Sequence, residues 1–243
     1  MIPLRDANPT RRTPVVTLVL ILACFVVFAI ELGLLARGEA VLDDFVRAWG
    51  VIPVELTDGW NAASVTSLET LTLFSSQFLH GGWLHILGNL LYLWIFGNNI
   101  EDRLGRLGFL LFYLAGGAIA GLTQVVIDPS SDVPLIGASG AIAAVLGAYL
   151  VLYPRARITS LVFLGFFYQL IDVPAIIVLA FWFVLQLIDG LASLGVEGVG
   201  EGIAFFAHIG GFVFGVVVAI AIRAVGRSAR LGSADPTGRA TVG

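Results

Sequence analysis

Long apolar runs separated by short polar stretches organise this chain. Six of them read as membrane-spanning helices: Val15–Leu35, Trp83–Asn98, Leu107–Ile127, Ser139–Tyr153, Pro174–Leu191 and Ile203–Val225. A helix rises 1.5 Å per residue and a bilayer core is ~30 Å thick, so a span needs about 20 apolar residues. The second and fourth runs are short by that measure. A further apolar stretch, Ile158–Ile171, reaches only ~21 Å as a helix and reads instead as an interfacial hairpin or re-entrant piece. The fold class expected is an all-α membrane protein, a six-transmembrane-helix bundle over residues 15–226. A polar cytoplasmic tail, 1–14, would precede it, and a disordered cytoplasmic tail, 227–243, would follow.

The connection from Ala36 to Gly82 mixes Glu39, Asp43, Asp44, Glu55, Asp58 and Glu69 with Phe45, Trp49 and Val51. That mixture suggests a structured loop lying against the membrane surface rather than a free linker.

Composition agrees with a membrane protein: 58% of residues are hydrophobic and 12% charged, about half the charge of a soluble domain. A net charge of −4 without a basic stripe gives no purchase on nucleic acid. The single cysteine, Cys24, excludes an intrachain disulfide, and no metal site or cofactor is expected. The stretch from Met1 to Pro14 is polar, carries Arg5, Arg11 and Arg12, and leads into an uncleaved signal anchor.

Charge then sets the orientation. With six crossings and both termini in the cytoplasm, the inner side holds Arg5, Arg11, Arg12, Arg103, Arg106, Arg155, Arg157, Arg223, Arg227, Arg230 and Arg239. Only Arg37 and Arg47 fall outside. This is the asymmetry of the positive-inside rule, and it describes a multi-pass protein of the cell membrane.

Three spans carry polar groups that suggest chemistry. The second opens HGGWLHILGN, with His80 just ahead of it and His85 and Asn89 a turn apart on one helical face. Two donors at that spacing either glue helices together or stabilise a developing negative charge. The fourth opens GASGAIAAVLG: Ser139 heads an otherwise apolar helix, Gly137 permits a tight turn, and Gly140, Ala144 and Gly147 thin one face. The sixth carries AHIGGFVFG, where His208 precedes a Gly211–Gly215 contact face.

Counted from the inner arginines at 1.5 Å per residue, Ser139, His208 and Asn89 lie at heights of roughly 24, 22 and 21 Å. Three polar groups on three helices thus share one plane.

Together these motifs resemble the signature of the rhomboid family of intramembrane serine proteases, over roughly Val15 to Val225. The resemblance implies a six-helix rhomboid-like bundle acting as a serine endopeptidase on transmembrane segments of other membrane proteins. It implies Ser139 as nucleophile and His208 as general base. His85 and Asn89, with the Ser139 backbone N–H, would form the oxyanion hole, and His80 would be structural. Where many members carry a Trp-Arg pair ahead of the second span, this chain has Leu71-Thr72.

No acid lies near His208 in sequence, and Asp189 belongs toward the outer end of the fifth span, so a dyad is expected. The glycine-rich connection Ala192 to Gly202 suits a mobile cap. Phe181, Trp182 and Phe183 read as gate residues or, more commonly for such a run, as lipid-facing bulk. The expected partners are transmembrane substrates and the bilayer; the oligomeric state is left open. Two rival classes are a catalytically dead relative that binds membrane helices and a polar-lined transporter or metal carrier. The intact Ser139 and His208 weigh against the first, and the lack of converging mid-span acids against the second.

Overall fold

The structure, a computed structural model, describes residues 1–61, 67–164, 167–193 and 205–232, with side chains for all of these except 67, 164, 186–193 and 226–232. In chain order the elements are strand β1 (Ile2–Asp6), helices α1 (Val15–Leu35), α2 (Glu39–Trp49), α3 (Pro53–Asn61), α4 (Ser67–Ser75), α5 (Trp83–Tyr92), α6 (Asn98–Leu104), α7 (Arg106–Ile127) and α8 (Ser139–Leu152), strands β2 (Arg157–Leu164) and β3 (Phe167–Pro174), and helices α9 (Ala175–Ser193) and α10 (Phe205–Gly232). Among the described residues, α1, α7 and the Phe205–Val225 part of α10 are long and apolar enough to cross a membrane. Shorter apolar helices run over Ser139–Leu152 and Ala175–Leu185. The protein is a mostly helical membrane protein.

The buried centre is α8. Residues Gly140 to Tyr149 are all buried, as expected of a helix that is apolar on every side. It packs against α7 and α10, and small residues set the approach. A Cβ added at Gly211 would overlap the carbonyl oxygen of Gly140, one at Gly215 that of Ala144, and one at Gly147 that of Phe212. The glycines singled out in the sequence therefore let α10 lie directly on the backbone of α8.

The second predicted span continues beyond Asn98. A single π turn, Leu93–Gly97, joins α5 to α6, and the rod ends at Leu104, where Gly105 adopts φ 74°. Glu101 on α6 then caps α1. Pro14 precedes α1 and offers no side-chain cap, so the first N–H groups of α1 would be orphaned. Glu101 Oε1 accepts from Val16 N–H at 2.9 Å, and Oε2 accepts from Thr17 N–H and Thr17 Oγ1–H, each at 2.8 Å. A carboxylate so placed also faces the positive end of the helix dipole; a cap of this kind contributes about 0.5–2 kcal/mol.

The all-α expectation needs correction. Residues 2–6, expected in a polar tail, form β1, and Ile158–Ile171 falls within a β-hairpin, giving a three-stranded antiparallel sheet of order β1-β2-β3. β2 and β3 pair from Arg157↔Pro174 to Leu164↔Phe167, and β1 pairs with β2 from Ile2↔Leu161 to Asp6↔Ile158. The physical reason is length and composition. ITSLVFL is too short to span and rich in β-branched and aromatic residues, and only strand pairing satisfies its backbone.

Asp6 anchors this sheet to the bundle. Its Oδ2 accepts from Tyr149 Oη–H on α8 and from Asn99 Nδ2–H on α6, both at 2.6 Å. Burial raises the Asp6 carboxyl above its ordinary range, against the hydrogen bonds from Tyr149 and Asn8, which lower it.

At the C-terminal end the last helix runs to Gly232, past Arg227. Nothing in GRSAR breaks a helix, and proline first appears at Pro236. The connection between α1 and α5 is structured, as expected, through α2, α3 and α4. Leu71 and Thr72 lie on α4.

Candidate active site

Ser139 stands at the first turn of α8, and the segment leading to it is held from two sides. Val51 and Leu135 exchange backbone hydrogen bonds at 3.1 and 2.8 Å, and Gly137 N–H donates to Ser76 O at 2.9 Å. Gly137 then turns with φ 122°, a conformation glycine adopts without strain. A side chain here would also strike His85: a Cβ would sit 2.7 Å from His85 Nε2 and 3.6 Å from Ser139 Oγ. Gly137 is thus required both for the turn and for the approach of His85 to the serine.

His208 is brought to Ser139 by the close packing of α10 on α8. Its Nε2 lies 2.7 Å from Ser139 Oγ, a short hydrogen bond between residues 69 apart in sequence. The other ring nitrogen, Nδ1, is buried without a hydrogen-bond partner among the described residues. Among the described residues no carboxylate orients the imidazole from behind. The Asp189 side chain lies outside the described residues.

His85 and Asn89 project from α5 into the same space. Gly81 N–H donates to His85 Nδ1 at 3.4 Å, a long bond that nonetheless assigns the ring proton to Nε2, the atom facing Gly137 and Ser139. Asn89 Nδ2 is buried and has no hydrogen-bond partner among the described residues. An amide donor left unsatisfied in the protein interior costs free energy, so its presence calls for a function. The backbone N–H of Ser139, at the start of a helix, has no intrahelical acceptor either.

These groups share a cavity of about 370 Å³ lined by Ser139, His208, His85, Asn89, Gly137 and Gly140, among others. None of its lining residues is an acid, lysine or arginine. The predicted quartet is brought together. His80 is not in the cavity wall; it is buried beneath it, its ring edge-on to His85 at 5.1 Å and its Nδ1 donating to Phe78 O at 3.1 Å. Gly211 and Gly215 contribute through the helix contact that seats His208.

Two residues near the site, Gln77 and Glu31, escaped sequence reasoning, and a third, Trp182, stands between two readings. Trp182, for which lipid-facing bulk was the commoner reading, lines the cavity with its ring 5.7 Å from that of His208. Phe181 does remain exposed. Gln77 lines the cavity with its side chain 2% exposed. Glu31, buried on α1, accepts the His80 N–H at 3.1 and 3.2 Å and so fixes the turn from which α5 starts. An acid inside an apolar run is a signal that was available for Glu31; nothing local marked Gln77. The connection Ala192 to Gly202, read as a cap, falls almost wholly outside the described residues. Among the described residues no group of His, Cys, Asp and Glu could hold a metal.

The fold and this cavity describe a helical membrane protein with a serine and a histidine hydrogen-bonded in its interior, and comparison with known proteins gives its family. The Rhomboid domain profile matches residues 67–225, and the chain belongs to the rhomboid family. It is 32% identical over 161 residues to the presenilin-associated rhomboid-like protein A, mitochondrial, of Danio rerio, covering 64% of this chain and 38% of that one. It is 36% identical over 92 residues to the putative rhomboid protease YdcA of Bacillus subtilis, covering 38% and 45%. The human presenilin-associated rhomboid-like protein, mitochondrial, is 29% identical over 146 residues, covering 58% and 35%. The matched region thus spans less than half the length of each relative.

Proposed function

We propose that this chain is an intramembrane serine endopeptidase that cleaves transmembrane segments of other membrane proteins. The observation that carries the reading is the 2.7 Å contact between His208 Nε2 and Ser139 Oγ beside an unpartnered Asn89 amide in one cavity. His208 takes the Ser139 proton as Oγ attacks the peptide carbonyl, then returns it to the leaving amine. Water next attacks the acyl-enzyme and regenerates Ser139. Negative charge on the carbonyl oxygen is met by His85 Nε2–H, Asn89 Nδ2–H and the Ser139 N–H. With no acid behind His208 among the described residues, these preorganised donors carry much of the rate. The description of the Bacillus relative as a putative rhomboid protease fits this reading.

The bundle crosses the membrane six times, with α5 through α6 as the second span and α9 as the fifth. The sheet and both termini lie on the cytoplasmic side of the cell membrane, and the mouth of the cavity faces outward, where water enters. Reporter fusions after Gly105 and after Arg157 are expected to report the cytoplasm, and a fusion at Ser130 the outside. An outside signal at Arg157 would overturn the six-span arrangement.

The activity is tested with the purified protein in detergent. A fluorophosphonate probe is expected to label the wild-type chain and not Ser139→Ala, and the wild type to cut a reconstituted single-span substrate. A chain that does neither is a rhomboid relative that binds without cleaving.

A further inference from the structure

The hairpin of β2 and β3 has a buried base and an uncovered end. At the base, Ala156, Ile158, Val173 and Ala175 belong to the same buried cluster as the middle of α8. Helix α9 starts directly after β3, and Ile176 and Ile177 in its first turn are already exposed apolar side chains. The sheet therefore begins at the depth where the helices end. β1 pairs with β2 no further than Leu161, and beyond that point β2 and β3 continue as a two-stranded ribbon.

The end of that ribbon is apolar on both faces. Phe163 and Tyr168 are cross-strand partners and share one face with Leu170, while Phe167 and Ile171 lie on the other. All five are exposed, Phe167 to 77% and Tyr168 to 71%. A sheet standing in water keeps its solvent face polar, and its edges are blunted by charge, proline or a bulge. Between Ile158 and Ile171 there is no charged residue and no proline, and the pairing of β2 with β3 runs unbroken from end to end. The opposite edge, β1, does carry such protection: Pro3, Arg5 and a register shift between them.

Charge indicates what covers the ribbon. Arg155 and Arg157 stand at its base and Arg5 on the neighbouring strand, all three exposed. The carboxylates of the sheet are engaged, Asp6 by Tyr149 and Asn99 and Asp172 by the Thr159 hydroxyl at 2.8 Å. An arginine collar beside an apolar, aromatic end matches the layering of a leaflet, anionic headgroups next to acyl chains. The outer edge of β3 presents backbone groups that need water or headgroups, which sets the ribbon at the interface rather than in the hydrocarbon core.

We propose that the end of the β2–β3 hairpin is a lipid-docking surface: it seats in the cytoplasmic leaflet with both faces against lipid, held by Arg155 and Arg157 on anionic headgroups. Because β3 passes into α9 without a linker, the hairpin ties the inner end of α9 to that leaflet. The inference rests on the cytoplasmic placement of the sheet, which the reporter fusion after Arg157 tests separately, and not on proteolysis.

The test uses the full chain with its single, buried cysteine removed by Cys24→Ala. Nitroxides are introduced one at a time through Phe167→Cys, Tyr168→Cys and, as an aqueous reference, Ser130→Cys. The chains are reconstituted in vesicles of phosphatidylethanolamine and phosphatidylglycerol, with a water-soluble nickel chelate on both sides. Relative to the label at 130, those at 167 and 168 are expected to be relaxed severalfold more by oxygen, which concentrates in lipid, than by the chelate. Arg155→Gln together with Arg157→Gln is expected to raise chelate access at both positions, as are vesicles of phosphatidylcholine alone. Chelate access at 167 and 168 equal to that at 130 would overturn the proposal and leave the hairpin in the cytosol. Lipid contact at only one of the two would overturn insertion with both faces covered. Spin–spin broadening that persists on dilution with lipid would assign the ribbon to a second copy of the chain and overturn it as well. An arginine variant seated as deeply as the parent chain would overturn the headgroup contact. The labelled positions are exposed, and an unchanged melting temperature in detergent verifies that each chain is folded.

Discussion

His208→Ala and Ser139→Ala are each expected to abolish proteolysis, with a fall in kcat of at least roughly 10⁴-fold. In a soluble triad, loss of either the serine or the histidine costs about 10⁶-fold, and loss of both costs little more, because the two act as one unit. The same non-additivity is expected here: the double variant should be no slower than either single one. The two substitutions differ in what they leave. Ser139→Ala removes the attacking atom, so fluorophosphonate labelling disappears entirely. His208→Ala leaves the hydroxyl without its only hydrogen-bonded base, 2.7 Å away, so labelling persists at a much lower rate. Full activity in His208→Ala would show that another group takes the proton. The close backbone approach of α10 to α8 is made by Gly211, Gly215 and Gly147, which both variants leave in place, so both are expected to fold.

The quartet was legible because each member sits in a local pattern. His85 and Asn89 share one face of α5, Ser139 opens an apolar helix behind Gly137, and His208 precedes the Gly211–Gly215 pair. Those small residues encode how closely the helices approach, and close approach is what a hydrogen bond between α8 and α10 requires. The position of α1 was legible because apolar length is a one-dimensional property: it begins and ends at the residues the apolar run marked.

The sheet was less legible. β1 lies some 150 residues from β2 in sequence, and a stretch of Ile, Pro, Leu and Arg carries no mark of its partner. Asp6 illustrates the difficulty: its role depends on Tyr149 and Asn99, which only the folded bundle brings to it. Gln77 went unseen, and Trp182 stood between gate and lipid-facing bulk, for a like reason. A glutamine in a turn and a tryptophan in an apolar helix are ordinary residues, and it is the cavity that gives them meaning. Glu31 and Glu101 serve opposite ends of α1, one holding the turn before α5 and the other capping the helix, and both are contacts between distant segments.

Asn89→Ala separates catalysis from packing more sharply than any other substitution in the site. If Asn89 stabilises the oxyanion, its removal should lower kcat by roughly ten- to a thousandfold and leave KM nearly unchanged, because the donor acts only as charge develops. If it were packing glue, it would need a partner in the resting protein, and its Nδ2 has none among the described residues. Removing a buried donor that is already unsatisfied relieves a penalty rather than breaking a bond. The melting temperature of Asn89→Ala is therefore expected to stay level or rise while turnover falls. Measuring both on one preparation decides the matter. Normal turnover per folded molecule with a depressed melting temperature would remove Asn89 from the oxyanion hole and leave His85 as its sole side-chain donor. In that case His85→Ala should reproduce the kinetic loss alone, since its Nε2 already faces the turn at Gly137 from which Ser139 is presented.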